Sequence, residues 1–434
     1  MQESIARSIV RRLRDAGFVA LYAGGCVRDM LLGKLAKDYD VATSARPEEV
    51  QAIFPTTYAV GAHFGVVVVH EQGEDFEVAT FRSDGAYVDG RRPEGVIFSS
   101  PQLDAERRDF TINGLFFDPF ESKVIDYVNG QRDLDAKVLR AIGDPVARFR
   151  EDKLRLLRGV RFGAGLGFEI NAETWAAVQQ HATDIREVSA ERIREELVRI
   201  FTSPTRVRGF DLLVESGLME QVLPEIMALR GCEQPPQFHP EGDVFVHTRA
   251  MLGLLPEEVS VALVFGVLFH DIGKPPTQTV DETGRIRFNG HDKLGAEMTQ
   301  RIMERLRFSN ADAEAIVSGV ANHMVFKDVK EMRVAKLRRF MARPGFADEL
   351  ELHRVDCTSA NGMLDNYDFI RARIEEFANE PLIPPPLLTG HDLKALGLTP
   401  GPKFKEILET AANLQLDGKL TTREDALEWA RENA

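Results

Sequence analysis

The stretch FVALYAGGCVRDMLLGKLAKDYDVAT, residues 18–43, decides the fold of the first part of the chain. A strand-like apolar run leads into Gly24-Gly25, and a helix pattern follows the two glycines directly. KDYDVAT returns to a strand pattern, and two more β-rich runs, FGVVVVH and FEVATFR, come after it. The stretch therefore predicts a mixed α+β domain, with a sheet that carries helices.

The junction between the first strand and the helix is suited to holding a phosphate. Glycines let an anion approach the backbone, and the N–H groups at a helix start favour negative charge. Arg28, in the first turn, can add a bidentate phosphate contact. A glycine pair at such a junction is also typical of a simple tight turn, so Gly25 and Arg28 need the support of further motifs.

Two aspartates, Asp38 and Asp40, are the strongest candidates for a metal site in this region. On a strand, residues two apart point to the same face, so the two carboxylates would repel each other unless a cation lay between them. Oxygen ligands of this kind suit Mg²⁺. Glu77, on a later β-run, is an open candidate for a third carboxylate, and an exposed polar loop is the alternative interpretation of KDYD.

Composition limits the possible classes of protein. The chain has 434 residues, a net charge of −14 and 44% hydrophobic residues, which indicates a globular protein with several structural units. The longest apolar run, Val261–Phe269, is too short to span a bilayer, and three distant cysteines favour a reducing cytoplasm. We see no targeting segment. Basic stretches at 137–168 and 327–343 leave room for a phosphate-rich ligand on an acidic chain.

Four motifs in a fixed order carry a family resemblance. They are GGCVRD (24–29), DYD (38–40), RRDFTINGL (107–115) and EDKLRLLRGVRF (151–162). Together they resemble the class II tRNA nucleotidyltransferase and poly(A) polymerase family. The resemblance implies a nucleotidyltransferase head, a helical neck, and body and tail domains that hold tRNA, with no nucleic-acid template.

The resemblance also implies roles for individual residues. Asp38 and Asp40 match the catalytic pair that binds Mg²⁺, and Gly25 and Arg28 match the contacts to the triphosphate. Arg108 matches a nucleotide-binding arginine, and Asp109 beside it a residue that positions the ribose. The substrates implied are CTP, ATP and the 3′ end of tRNA.

Asp152 and Arg155 are the candidates for base recognition, since at i,i+3 spacing they would neighbour each other on one helix face. A carboxylate accepts hydrogen bonds and a guanidinium donates them, which fits the amino group and ring nitrogen of cytosine and adenine. Guanine and uracil would leave mismatched polar groups at about 1–3 kcal/mol each. The family uses matching positions in this way, and Arg158 and Arg161 match further nucleotide contacts. An amphipathic helix with a basic outer face is the alternative.

The segment FRSDGAYVDGRRPEGV, residues 81–96, carries two Asp-Gly turn signals and is predicted to be a mobile loop. It resembles the flexible loop with which A-incorporating enzymes of the family switch from C to A. Asp84, Arg91 and Arg92 are its expected polar contacts. The loop argues against an enzyme that adds only the two cytidines, but it does not separate full CCA addition from A addition alone.

A histidine-rich region resembles an HD phosphohydrolase domain through FHPEGDVFVHT (238–248) and VLFHDIGKP (267–275). The implied metal ligands are His247, His270, Asp271 and Asp356. His291 and His323 match extra histidines of longer variants, and Lys274 could face a phosphate. Imidazole and carboxylate ligands suit a divalent transition metal without selecting one.

The predicted organisation is an α+β head followed by a mostly α-helical neck, HD body and tail. The boundaries are 1–135 for the head, 136–225 for the neck with the base-recognition helix, 226–375 for the HD-type domain and 376–434 for the tail. In the tail, Lys403 and Lys405 are expected to contact tRNA phosphates. Thr389-Gly390 predicts a helix start, and His391-Asp392 is not interpreted as a second metal pair.

The sequence favours a cytoplasmic, template-independent CCA-adding tRNA nucleotidyltransferase, with no membrane partner and with its oligomeric state open. One rival is an A-adding enzyme that works with a separate CC-adding enzyme. A second is an HD phosphohydrolase that acts on RNA 3′-end phosphates and has a degenerate head, and a third is a non-catalytic RNA-binding regulator. Intact candidates for the metal, triphosphate and base contacts argue against the last two.

Overall fold

A computed structural model describes residues 2–36, 38–58, 65–84, 96–235, 240 and 242–433. The chain forms two compact units, Met1–Pro224 and Glu225–Ala434. The finer division into head, neck, HD body and tail stays a prediction. Among the described residues, no helix is both long and apolar enough to cross a membrane.

Most strands of the first unit lie in the first half of its sequence. They are β1 Ala20–Ala23, β2 Val41–Thr43, β3 Thr57–Tyr58, β4 Val66–Glu71, β5 Glu74–Thr80, β6 Arg82–Asp84, β7 Val96–Phe98, β8 Leu115–Asp118, β9 Lys123–Asp126, β10 Val138–Leu139 and β11 Glu169–Ile170. Within the described residues, seven of them form one mixed sheet in the order β3-β4-β5-β2-β1-β8-β9. The pairing is antiparallel except between β2 and β5. The predicted α+β head is confirmed.

Helices cover this sheet and continue beyond it. They are α1 Gln2–Asp15, α2 Gly25–Leu31, α3 Pro47–Ile53, α4 Pro101–Glu106, α5 Gly130–Asp135, α6 Pro145–Glu151, α7 Arg155–Leu166, α8 Ala172–Gln180, α9 Ala190–Phe201, α10 Arg206–Glu215 and α11 Leu218–Val222. The apolar face of α1 (Ile5, Ile9 and Leu13) is buried against β-strand residues such as Tyr22 and Val67. Apolar residues at three- and four-residue spacing therefore dock this helix on the sheet.

The second unit is built mainly from helices, as predicted. Its helices are α12 Pro224–Met227, α13 Val244–Leu254, α14 Val261–Phe269, α15 Lys274–Thr277, α16 His291–Arg305, α17 Asn310–Asn322, α18 Val334–Met341, α19 Phe346–Ser359, α20 Asp365–Glu376, α21 Gly390–Ala395, α22 Pro402–Leu416 and α23 Arg423–Asn433. A short antiparallel pair, β12 Thr279–Val280 and β13 Ile286–Arg287, interrupts them. The apolar helix α14 is buried along most of its length, which explains the longest apolar run of the sequence.

Two local predictions need correction. The segment 151–162 does not form one helix, because α6 ends at Glu151 and α7 begins at Arg155. Asp38 and Asp40 do not lie within a strand but in the segment directly before β2. In contrast, the predicted helix start at Thr389-Gly390 is confirmed, since the Thr389 side chain caps α21.

Candidate functional site

The carboxylates before β2 lie close to that of Glu77. Val41 pairs with Val78 in the parallel register of β2 and β5, so Asp40, directly before β2, lies beside Glu77 on β5. Burial raises the pKa of Asp40 to about 6, and the negative charges of Glu77 and Asp38 add to the rise, while Arg108 opposes it. Three carboxylates therefore share a region where a cation would relieve their repulsion.

The strand–helix junction requires glycine at position 24 for two reasons, the backbone conformation and the closeness of Arg108. The φ of Gly24, +71°, lies in the left-handed region, and a Cβ there would lie 2.8 Å from Nη1 of Arg108. That nitrogen donates to the carbonyl oxygen of Asn113 at 3.3 Å. Glycine thus lets Arg108 reach the turn where α2 begins at Gly25.

A chain of hydrogen bonds connects Arg28 with α7. The buried Arg28 donates to Oδ1 of Asn113 at 2.7 Å, and Nδ2 of Asn113 donates to Oδ1 of Asp109 at 3.0 Å. Oδ2 of Asp109 accepts from Nε of Arg158 at 2.7 Å. Burial alone would raise the pKa of Asp109, but the charge of Arg158 and the bond from Asn113 hold it at about 2. Asp109 is thus an ionised link between two predicted nucleotide contacts.

Asp104 holds two consecutive arginines and was missed from the sequence. It is 2% exposed, and its two oxygens accept from Nη2 of Arg107 at 2.7 Å and Nη2 of Arg108 at 2.9 Å. Burial raises its pKa, but the charges of Arg108 and Arg107 outweigh this and lower it. The i,i+3 and i,i+4 spacing in DAERR was a usable signal for this contact.

Asp152 and Arg155 lie where α6 gives way to α7, not on one helix face. Asp152 binds the guanidinium of Arg192 through both oxygens, at 3.1 and 2.8 Å. Arg155 donates to Oε2 of Glu151 at 2.8 Å and to the carbonyl oxygen of Arg107 at 2.9 Å. The two side chains do not bond each other here, and the partner of Asp152, Arg192, was not predicted from the sequence.

Phe162 and Glu196 complete this side of the site. The guanidinium groups of Arg28, Arg158 and Arg161 lie 5.3, 5.3 and 4.1 Å from the centre of the Phe162 ring. Nε of Arg161 donates to the buried Glu196 at 2.6 Å. Stacking on an aromatic ring and pairing with a buried carboxylate keep these arginines in place.

Most of the residues described above line one cavity of about 460 Å³, which we call the nucleotide cavity. Its lining is Gly24, Gly25, Arg28, Asp40, Arg107, Arg108, Asp109, Asn113, Asp152, Leu154, Arg155, Arg158, Arg161, Phe162 and Arg192. The cavity thus brings together most of the residues predicted to bind the nucleotide, from both the head and the neck. Asp38 does not line it, but its charge acts on Asp40, which does. The predicted loop contacts Arg91 and Arg92, and the side chain of Asp84, fall outside the described residues.

The second unit contains a buried group of metal-ligand side chains, which we call the HD cluster. It consists of His247, His270, Asp271, His291, His323 and Asp356. Nε2 of His247 lies 3.1 Å from Oδ1 of Asp356, and Nε2 of His291 lies 3.1 Å from Nε2 of His323. The helices α13, α14, α16, α17 and α19 bring these residues together.

Two groups within this cluster have the spacing of metal ligands. One is His247, His270 and Asp271, the other is Asp271, His291 and His323, and the ligand atoms of each lie within 4.8 Å of one another. Nε2 of His270 and Oδ2 of Asp271 are buried and lack hydrogen-bond geometry although they lie 3.0 Å apart. Buried donors of this kind fit a divalent cation, and Asp271, whose Oδ2 also meets the ammonium of Lys274, belongs to both groups.

Several histidines of the cluster are oriented by backbone carbonyls. Nδ1 of His270 lies 2.8 Å from the oxygen of Val267, and Nδ1 of His323 lies 2.6 Å from that of Val320. A hydrogen bond at Nδ1 leaves Nε2 as the ligand atom. Burial lowers the pKa of His323 to about 4, against the charge of Asp271, so the ring is neutral as a metal ligand requires.

Lys274 lies beside the HD cluster rather than in open solvent. Its Nζ is 2.6 Å from Oδ2 of Asp271 and donates to Oε1 of Gln234 at 2.6 Å. Burial would raise the pKa of Asp271, but the charges of His270 and Lys274 hold it well below its usual range. A cavity of about 320 Å³ opens here, lined among others by Lys274, His291 and Phe288.

Three successive segments of the chain match models of known protein families. Residues 20–140 match the "Poly A polymerase head domain", 167–229 the "Probable RNA and SrmB-binding site of polymerase A", and 244–357 the "HD domain". The CCA-adding enzyme of Geobacillus thermodenitrificans is 44% identical over 214 residues, 49% of this chain and 53% of that protein. That of Streptococcus mutans is 43% identical over 212 residues. The chain spans about half the length of the curated relatives it matches.

Solved structures extend the likeness of fold over nearly the whole chain. The CCA-adding enzyme of Bacillus stearothermophilus in complex with CTP superposes with a TM-score of 0.71 at 26% identity, covering 98% of this chain and 96% of that one. The Thermotoga maritima CCA-adding enzyme complexed with tRNA has the same fold at a TM-score of 0.60 and 18% identity, over 98% and 94%. The chain therefore combines matches to a poly(A) polymerase head domain, to an RNA-binding site of polymerase A and to an HD domain, and it is similar to CCA-adding enzymes.

Proposed function

We propose that this chain is a tRNA nucleotidyltransferase that adds CCA to tRNA 3′ ends from CTP and ATP, without a nucleic-acid template. The observation that carries the proposal is the nucleotide cavity, where Asp40, the arginines and Asp152 line a single space. The relatives named CCA-adding enzymes agree with it. An enzyme that adds only A, or a chain with a degenerate head, receives no comparable support.

The residues of the cavity fit the parts of the reaction. In nucleotidyl transfer, a 3′-hydroxyl attacks the α-phosphate and pyrophosphate leaves. Asp38 and Asp40 would hold Mg²⁺, which neutralises charge on the triphosphate when bound. Glu77, whose charge acts on Asp40, is our candidate for a third carboxylate. Arg28 and Arg108 donate to the phosphates.

Base choice rests on Asp152 and Arg155, one an acceptor and the other a donor. Among the described residues, three of the five N–H donors of Arg155 bind Glu151, Arg148 and Arg107, which leaves two for a ring nitrogen. Cytosine and adenine satisfy this pair, whereas guanine and uracil leave buried groups unpaired. Asp109 and Arg158 would position the ribose and phosphates through their own ion pair.

The assay uses tRNA transcripts that end before CCA, after C, or after CC, with Mg²⁺ and each nucleotide singly or mixed. We expect CCA on the shortest transcript when CTP and ATP are both present. Extension of the CC-ended transcript by A alone would instead identify an A-adding enzyme.

Because CTP, ATP and tRNA meet in the cytoplasm, and because the three cysteines are unpaired, we propose a cytoplasmic location.

A second, metal-dependent activity is favoured by the buried, converging ligand atoms of the HD cluster. A divalent transition metal held there would supply Lewis-acid chemistry for a phosphoester. Lys274, at the neighbouring cavity, can compensate negative charge near Asp271. The test is release of phosphate from RNA 3′-end phosphates by protein loaded with Mn²⁺, Co²⁺ or Ni²⁺. Loss of that release in His270→Gln, with CCA addition retained, would assign the two activities to separate sites.

A further inference from the structure

Arg192 binds the base-recognition candidate Asp152 in a way that fixes its carboxylate. Nη1 of Arg192 donates to Oδ1 at 3.1 Å and Nη2 donates to Oδ2 at 2.8 Å. The backbone N–H of Leu154 donates to Oδ1 at 3.1 Å. Two parallel bonds from a planar fork, with a third at one oxygen, define both the position and the rotation of the carboxylate plane.

The hydrogen bonds to Asp152 leave one acceptor site of its carboxylate for a nucleotide base. A carboxylate has about four acceptor sites, two on each oxygen. Oδ1 is filled by Arg192 and Leu154, whereas Oδ2 has one bond from the described residues and therefore one acceptor site left with respect to them. Cytosine and adenine each direct one N–H of their exocyclic amino group along the Watson–Crick edge, and the one remaining acceptor site on Oδ2 of Asp152 can accept it. The carbonyl that guanine or uracil presents there cannot donate to it.

Arg192 is itself part of a helix face that supports the cavity. It lies in the first turn of α9, and Glu196, one turn further, holds Arg161 at 2.6 Å. Residues four apart on a helix share a face. One face of α9 therefore holds two residues of the nucleotide cavity, Asp152 through a cation and Arg161 through an anion. Arg192 also lines the cavity.

We propose that Arg192 is a specificity-determining positioning residue, which presents one acceptor site of Asp152 to the amino group of the incoming cytosine or adenine. The inference rests on the proposed function and deepens it. Without Arg192, the N–H of Leu154 would be the one remaining partner of the carboxylate in the described part of the chain, and the terminal torsion of Asp152, which has broad minima, would be free to turn. The acceptor would no longer have a fixed place.

The experiment measures kcat/KM for CTP and for UTP on tRNA that ends before CCA. We expect Arg192→Ala to lower the CTP/UTP ratio about tenfold or more, the effect of one mispaired buried group. Arg192→Lys, which offers a point charge in place of a fork, should give a smaller fall. Arg186→Ala, an exposed arginine on the preceding segment, should leave the ratio unchanged. Thermal melting shows that each variant folds.

A double-mutant cycle separates positioning from general support. If Arg192 acts through Asp152, Arg192→Ala combined with Asp152→Ala should have the ratio of Asp152→Ala alone. Added guanidinium at low concentration should restore the ratio in Arg192→Ala but not in Asp152→Ala. An unchanged ratio in folded Arg192→Ala, or effects that multiply in the double variant, would overturn the inference alone. A wild-type chain that adds no nucleotide would overturn the proposed function, and this inference with it.

Discussion

The nucleotide cavity and the HD cluster are opposite solutions to binding a charged ligand. Seven arginines and three aspartates line the nucleotide cavity, so it is prepared for a ligand that brings negative charge. The HD cluster consists of four histidines and two aspartates whose ligand atoms already converge. In the first, a metal would be completed by substrate phosphates, and in the second by the protein. A site for a polyanion can thus be recognised by its arginine side chains, and a metal site by its converging imidazole and carboxylate ligand atoms.

Asp40→Asn should give the largest effect. The substitution keeps the shape of the side chain but removes the charge that would hold Mg²⁺. We expect the rate of C addition to fall by about 10³-fold or more, since a metal stabilises the transition state by several kcal/mol. Asp75→Asn, on an exposed part of β5, is the matched control and should keep full activity. A fully active Asp40→Asn with an unchanged melting curve would reject the assigned metal site.

Metal content tests the other half of the comparison. Asp271 belongs to both ligand groups of the HD cluster, whereas His323 belongs to one. We therefore expect Asp271→Asn to lose all the bound transition metal and His323→Gln to lose about half of it. Elemental analysis of protein loaded with Mn²⁺ and then dialysed gives the ratio. Equal losses in both variants would show that the two groups hold a single ion.

The sequence predicted the parts of both sites that depend on motifs. The order of GGCVRD, DYD, RRDFTINGL and EDKLR indicated the head, and the structure brings Arg28, Asp40 and Arg108 to one cavity. Such motifs are readable because strand–turn–helix geometry is local. The break between α6 and α7 was not readable, since the apolar spacing of 151–162 continues across it.

Long-range partners explain what the sequence could not provide. Arg192 lies 40 residues from Asp152, and Glu196 lies 35 residues from Arg161. Charged residues at i,i+4 on α9 look like an ordinary solvated helix face until the packing of α9 against α7 is known. Asn113 lay within a quoted motif, but only the fold shows that it bridges Arg28 and Asp109.

Asp109 offers a pH test of how firmly the cavity is anchored. Its folded pKa of about 2 is lower than its ordinary value of 3.8, so its stabilisation is present above pH 4 and lost as the pH falls toward 2. We expect Asp109→Asn to lower the free energy of unfolding by about 2 kcal/mol at pH 7. The difference from wild type should shrink below pH 4.

The measurement can be confined to the first unit. Trp175 lies in α8 and Trp429 in α23, so a Trp429→Phe background leaves a fluorescence probe in the first unit. Urea unfolding at pH 7, 5 and 3 gives the free energies, and Asp135→Asn, at an exposed position, is the control. A difference that stayed constant with pH would mean that Asp109 acts by packing and not by its charge.

The smallest expected effect comes from comparing two His-Asp pairs in the same chain. The ligand atoms of His270-Asp271 are buried among further metal-ligand side chains, whereas Asp392 accepts from the backbone N–H and the hydroxyl of Thr389, at 2.8 and 2.6 Å. These bonds, with that from Arg423, hold the pKa of Asp392 at about 2. Its lone pairs serve a helix cap, which is why an identical dipeptide has a different role.

Thr389→Val tests this contrast because it removes the capping hydroxyl and keeps the volume. We expect a loss of about 1 kcal/mol in unfolding free energy, the usual contribution of such a cap, with no change in bound transition metal. Thr399→Val, at an exposed position between α21 and α22, controls for the substitution itself. Loss of metal in Thr389→Val would mean that the dipeptide at 391–392 shares in metal binding. An unchanged metal content with the expected destabilisation would mean that, of the two His-Asp pairs, metal binds the one around which the fold gathers further ligands.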